Sequence, residues 1–179
     1  VPGLEKNRGL PVDYWNPEPM KATVYAAVNE KFGRSDLIRE YDNDQFFLNR
    51  AVLREEGINA DDVARFAATV AATFPEVQKT MTASDLRGST YTEGAEANIQ
   101  RGWHAVASGD VIVILKPGYL EYSRTGTSHG SPYAYDTHVP FLMMGPGVPK
   151  KATYSRTEIR DIAPTLSALL GFPRPSGCT

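Results

Sequence analysis

The stretch GTSHGSPYAYDTHVPFLMMGPG, Gly126 to Gly147, admits two incompatible kinds of chemistry. Gly126-Thr127-Ser128-His129-Gly130 fits the Gly-x-Ser-x-Gly pattern of a serine hydrolase, which would make Ser128 a nucleophile. The same residues set an imidazole, His129, among small residues ahead of an apolar run, which suits a metal ligand. An elbow nucleophile needs a strand running directly into the Gly-x-Ser turn and a helix starting directly after it, because that geometry lifts the hydroxyl above the sheet. Pro117 and Gly118 break the strand well before Ser128, and Pro132 follows Gly130 where the helix should begin. The base would have to be His138 with Asp136 as its orienting acid, both on the loop that follows the serine. The flanks therefore argue against an elbow.

A metal ligand asks for less, an imidazole on a loop beyond the end of a sheet strand, where open α/β sheets collect their sites. A metal site also needs three or more ligands, so residue counting by itself favours a surface or packing role for His129. Asp136 and His138 lie on one face if Asp-Thr-His is extended, yet fastening the loop ahead of Val139 explains them more simply. His104, beside Trp103, reads as a residue at a helix C-terminus facing the dipole. Tyr119, Tyr122, Tyr133 and Tyr135 would line a pocket or pack the loop. Asp42 and Asp44 read as a turn, and Asp61 and Asp62 as a helix N-terminus, because the spacing of a calcium loop is absent.

The elements that position these residues are legible in part. The first 17 residues, with their prolines and glycines, read as an ordered loop. Met20, Val24, Val28 and Phe32 fall about one turn apart, predicting a helix from Pro19 that Gly33 ends. DQFFLN predicts a strand. Asn59 is a good N-cap for a helix with a stripe of Val63, Phe66, Ala67, Val70, Ala71 and Phe74. EVQKTMTA alternates as a strand, Thr92 to His104 suits a helix, and Val111 to Leu115 is the apolar, β-branched run of a strand covered on both faces. VPFLMM repeats that signature. A last helix starts near Asp161, tolerates Pro164 in its first turn, buries Ile162, Leu166, Leu169 and Leu170, and stops at Gly171. The pattern predicts an α/β sandwich with a largely parallel sheet. About four strands are few for such a sheet, so further strands are expected outside this sequence.

Composition sets the limits. The 179 residues are 41% hydrophobic with a formal charge of -2 and no charge runs, which gives no electrostatic reason to expect nucleic acid or an anionic membrane as partner. No stretch approaches the ~20 apolar residues of a membrane span, and no signal-peptide pattern opens the chain, so a soluble protein is expected. Cys178 is the single cysteine, which excludes an internal disulfide and a cysteine-rich zinc site. Val1 in place of an initiator methionine fits a piece of something longer.

Four segments, YDNDQFFLN, GDVIVILKPGYLEY, GTSHGSPYAYDTHVPFLMMGPGV and TEIRDIAPTLSALLGFPRPSGC, resemble in that order the C-terminal part of bacterial alkaline phosphatases of the threonine-nucleophile branch. These are members of the alkaline phosphatase superfamily, alongside the nucleotide pyrophosphatase/phosphodiesterases. SHGSPYAYDTHVP is specific to the branch, whereas DIAPTLSALLG is shared across the superfamily, sulfatases included. The resemblance implies a three-layer α/β/α sandwich, of which residues 1–179 would be a single C-terminal portion. It implies a two-zinc site whose last protein ligand matches His129.

The departure from the family pattern matters equally. The nucleophilic threonine, a metal-binding aspartate and an adjacent Asp-His pair of that family come earlier in the chain, and this sequence contains no Asp-His pair. VPGLEKNRGLP resembles the family's segment shortly after that pair. One zinc ligand and no catalytic residue are therefore expected here, with substrate-binding residues unassigned. The expected function is zinc-dependent hydrolysis of small phosphate monoesters by a longer periplasmic or secreted parent, whose upstream part would be this stretch's partner; the isolated chain would be inactive. The alternatives are a phosphodiesterase or nucleotide pyrophosphatase of the same superfamily, or a non-catalytic α/β binding module.

Overall fold

The computed structural model describes residues 6–10, 12–121 and 128–176, so Tyr122, Gly126, Thr127 and Cys178 lie outside the described residues. Two compact units divide the chain, residues 1–138 and 139–179.

In the first unit, strand β1 (Asp13–Trp15) precedes helix α1 (Glu18–Phe32), the hairpin β2 (Ile38–Asp42) and β3 (Gln45–Leu48), and helices α2 (Arg50–Glu55) and α3 (Ala60–Ala71). Strand β4 (Val77–Thr82), helices α4 (Ala83–Gly88) and α5 (Gly94–Gly102), strands β5 (Val111–Leu115) and β6 (Tyr119–Glu121) and the single turn α6 (Ala134–Thr137) complete it. Helix α1 buries Met20, Val24 and Val28 and ends at Gly33 in the left-handed conformation. Helix α3 is capped by the Asn59 side chain, which accepts from the Asp61 backbone N–H at 2.8 Å. Its inner face buries Val63, Ala67 and Ala71, as the stripe predicts, with Ala64 and Ala68 beside them. The two-residue turn joining β2 to β3 places Asn43 and Asp44 at φ 48° and 57°, the left-handed pair that a tight hairpin demands.

Strand β5 decides the layering. It lies inside the four-stranded order β2-β3-β5-β4, pairing antiparallel with β3 and β4. Val111 and Val113 pack into a core with Trp15, Met20, Phe46, Val63 and Ala67. Ile112 and Ile114 point the other way, against Met81 and Leu86, with Ile99, Trp103 and Tyr133 at the margin. A run with no polar position thus marks a strand with both faces covered, as expected. Truncating a fully buried side chain such as Phe46 to alanine costs about 3–5 kcal/mol in comparable cores. The parallel pairing in this stretch is β1 with β6, Asp13 opposite Tyr119. The fold is mixed α/β.

Several expectations are corrected. The opening segment is not all loop, because Asp13–Trp15 pairs with β6 and Trp15 is buried. Asp136 and His138 do not share a face of an extended segment, since Ala134–Thr137 is helical. His104 follows the end of α5 rather than facing its dipole, and its Nδ1 accepts from the backbone N–H groups of Val106 and Ala107 at 3.2 and 3.3 Å, closing a turn.

The second unit contains a turn at Gly145–Val148, a 3₁₀ turn at Ile159–Asp161 and helix α7 (Ile162–Leu170), which ends at a left-handed Gly171. VPFLMM is not a strand. A strand needs a neighbour for its backbone groups, and among the described residues none pairs with it. Helix α7 forms where expected but buries none of its residues, Leu170 being 62% exposed, because no layer of its unit covers the apolar stripe.

Candidate functional site

The site is the chain that leaves β5. Lys116 to Gly118 turn out of the strand, and β6 then runs beside β1. Gly118 suits that turn, since its φ is +86° and an added Cβ would lie 2.4 Å from Val12 Cγ1. Beyond the undescribed residues 122–127 the chain returns with Ser128, His129 and Gly130, all exposed.

From Ser131 onward the loop is tied down. The Ser131 backbone N–H donates to Asp136 Oδ2 at 2.7 Å. Asn98 Nδ2, on α5, donates to the Pro132 carbonyl at 2.9 Å. The Tyr133 hydroxyl donates to the carbonyl of Leu115, the last residue of β5, at 2.7 Å. The Tyr135 hydroxyl accepts from the Gly118 N–H at 3.2 Å, and the two tyrosine rings stack with centroids 5.8 Å apart. Burial pushes the Tyr133 phenol up, the direction a packed tyrosine shows. The tyrosines therefore pack the loop, and Tyr119 packs against the main core. Asp136 fastens the loop, the simpler of the two roles its position allowed.

Among the described residues, Ser128 shows none of the features of an activated nucleophile. Its hydroxyl donates weakly, at 3.4 Å, to the carbonyl of His129. No helix follows Gly130 directly, the next being the single turn from Ala134. No group of three or more His, Cys, Asp or Glu side chains placed to hold a metal occurs among the described residues. His129 fits a metal as one exposed donor of a larger set, and these residues do not form a complete metal site. His138 is exposed just past the α6 turn.

A shallow depression of about 370 Å³ adjoins the anchored loop, lined by Lys79, Glu96, Ile114, Pro117 and Tyr133 among others. Lys79 Nζ lies 2.9 Å from Glu96 Oε1. That hydrogen bond raises the lysine and holds the carboxyl below its usual range, so both stay charged and offset each other. The depression therefore offers an anionic ester no uncompensated cation from Lys79. Sequence reasoning missed the anchor Asn98 and gave Tyr133 a packing role without its partner, because both side chains bond backbone carbonyls, which leave no mark in a sequence.

No family model matches the chain. It is 34% identical over 161 residues to alkaline phosphatase PafA of Elizabethkingia meningoseptica, an alignment covering 89% of this chain and 30% of the relative. It is 28% identical over 166 residues to a calcium-transporting ATPase of Myroides odoratus, covering 92% of this chain and 30% of that protein. The crystal structure of wild-type alkaline phosphatase PafA superposes with a TM-score of 0.87 at 30% identity, over 100% of this chain and 34% of the solved one. The chain thus spans about a third of the length of the relatives it matches. No helix among the described residues is long and apolar enough to cross a membrane. Over this stretch the chain is that of an alkaline phosphatase-superfamily protein and resembles the C-terminal portion of a PafA-like enzyme.

Proposed function

We propose that residues 1–179 form one C-terminal portion of a larger zinc-dependent phosphatase domain acting on phosphate monoesters, and that His129 is a zinc ligand of that enzyme. The observation that carries the reading is an exposed imidazole on a loop anchored to the end of β5, in a chain 34% identical to an alkaline phosphatase over 89% of its length. The Elizabethkingia and Myroides relatives both carry names of enzymes that cleave phosphoryl groups, which supports the reaction class.

When bound, two zinc ions would supply electrostatic stabilisation to a phosphoryl group in transfer. This stretch would contribute one imidazole nitrogen to one of them. Strand β5 gives the loop a rigid base, and the tyrosine and asparagine anchors limit how far His129 can travel. The nucleophile and the remaining ligands belong to the upstream part, so no catalytic residue is assigned here. A periplasmic or secreted location accompanies the reading.

Substitution in the full-length protein tests it. His129→Ala is expected to lower zinc per chain, measured by atomic emission, and to depress p-nitrophenyl phosphate turnover with it. Ser128→Ala should cost at most the ~10–100-fold typical of a change beyond the ligands themselves. Unchanged zinc in His129→Ala removes the ligand assignment; lost turnover with normal zinc in Ser128→Ala restores the serine nucleophile.

A further inference from the structure

The loop carrying His129 is short of regular structure yet unusually well tied. Between Ser131 and Asp136 it makes two side-chain bonds to the body, Asn98 to the Pro132 carbonyl and Tyr133 to the Leu115 carbonyl, and receives the Gly118 N–H on Tyr135. Its internal closure is the Asp136 carboxylate, which accepts the Ser131 N–H at 2.7 Å. Ser131 itself is half-buried, and its hydroxyl is a buried oxygen with no hydrogen-bond partner among the described residues. The Asp136 bond to the Ser131 backbone fixes a residue two positions after His129. Two peptide units separate Ser131 from His129, and Gly130 between them sits at φ +108°, a conformation that suits glycine.

We infer that Asp136 is a positioning residue for the metal site, locking Ser131 and so the reach of His129, rather than a ligand. The inference rests on the reading of His129 as a zinc ligand. Its chemistry is specific: the role asks for one hydrogen-bond acceptor at Asp136 and not for a negative charge. Asparagine retains a carbonyl oxygen and should serve, whereas alanine offers nothing to the Ser131 N–H.

The test uses the full-length protein, zinc as the probe, and competition with a chelator as the main readout. Asp136→Ala is expected to weaken zinc retention about 10-fold, the low end for residues that orient ligands from outside the coordination shell. Amide exchange at residues 128–131 should quicken while that of β5 stays unchanged. Asp136→Asn should recover both properties. If Asp136→Ala does not fold, Asn98→Ala takes its place, with the same weakening and local exchange expected from the lost Pro132 bond. Wild-type zinc affinity in the alanine variant, when His129→Ala has lost its zinc, overturns the positioning role and leaves the ligand reading standing. An Asp136→Asn variant as impaired as alanine also overturns it, because charge would then be what matters. Undiminished zinc in His129→Ala removes the ligand reading and this inference together.

Discussion

Asp44, in the hairpin turn between β2 and β3, and Glu121, at the end of β6, are two carboxyl groups competing for one proton. Burial pushes the Glu121 carboxyl up to about 7, and the Asp44 charge pushes in the same direction. Asp42 adds to that effect and Lys21 opposes it. Burial raises Asp44 too, against hydrogen bonds from the Tyr41 hydroxyl, at 2.9 Å, and from Glu121. The Tyr41 phenol is pushed up by burial and by the Asp44 charge, so it remains a donor. Above the ordinary glutamate value of 4.5 and up to about 7, the folded chain keeps a proton that the unfolded chain has released. The contribution of the pair is therefore complete below pH 4.5 and declines as the pH rises through about 7. Glu121→Gln keeps a donor toward Asp44 at every pH and removes the repulsion. Its melting midpoint, followed by circular dichroism, should exceed that of the wild type at about pH 8 and match it near pH 4. The same difference at both pH values would mean that the carboxyls do not share a proton. Nothing in the sequence pairs Asp44 with Glu121, since parallel pairing of β1 with β6 and the hairpin turn bring them together only in three dimensions.

At the scale of elements, Gly118 links the sheet to the site. Alanine there would combine an unfavourable positive φ, about 1–2 kcal/mol, with a clash against Val12. Gly118→Ala should lose about 2–4 kcal/mol in urea unfolding, and adding Val12→Ala should recover the steric part while leaving the backbone part. No recovery in the double variant would mean that the backbone alone sets the cost. The turn was not legible as essential, because Val12 belongs to the proline-rich opening that reads as loop. Elements whose pattern is self-contained were legible: the stripes of α1 and α3, the Asn59 cap, and the apolar run of β5. Helix α4 escaped notice although Thr82 and Asp85 form a capping box, with Asp85 N–H donating to Thr82 Oγ1 at 3.2 Å and Thr82 N–H to Asp85 Oδ2 at 2.8 Å. Its six residues are too few for a periodic stripe. At the site, the proposal for His129 comes from resemblance alone, whereas the anchors that hold its loop act on backbone carbonyls and N–H groups, which no sequence pattern marks.

For the whole molecule, VPFLMM shows what an apolar run can and cannot specify. It records the environment a segment suits, while pairing depends on a neighbour, and the described residues supply none. Leu142 is 88% exposed, Met144 fully so, and Phe172 66%, and in α7 Leu166, Leu169 and Leu170 are also open to solvent. An apolar surface of that kind in a water-soluble domain drives association unless something covers it. The proposed larger phosphatase domain would be that cover. The isolated 179 residues should accordingly bind an apolar dye and sediment as concentration-dependent oligomers, and they should not turn over p-nitrophenyl phosphate with added zinc, having one proposed ligand and no nucleophile. Supplying the upstream part in trans should reduce dye binding and self-association together, because both arise from the same exposed side chains. A monomer at high concentration without dye binding would show that residues 139–172 are satisfied within this chain, and steady zinc-dependent turnover would show that the stretch carries catalytic groups of its own. Either result would require the chain to be treated as a self-sufficient unit.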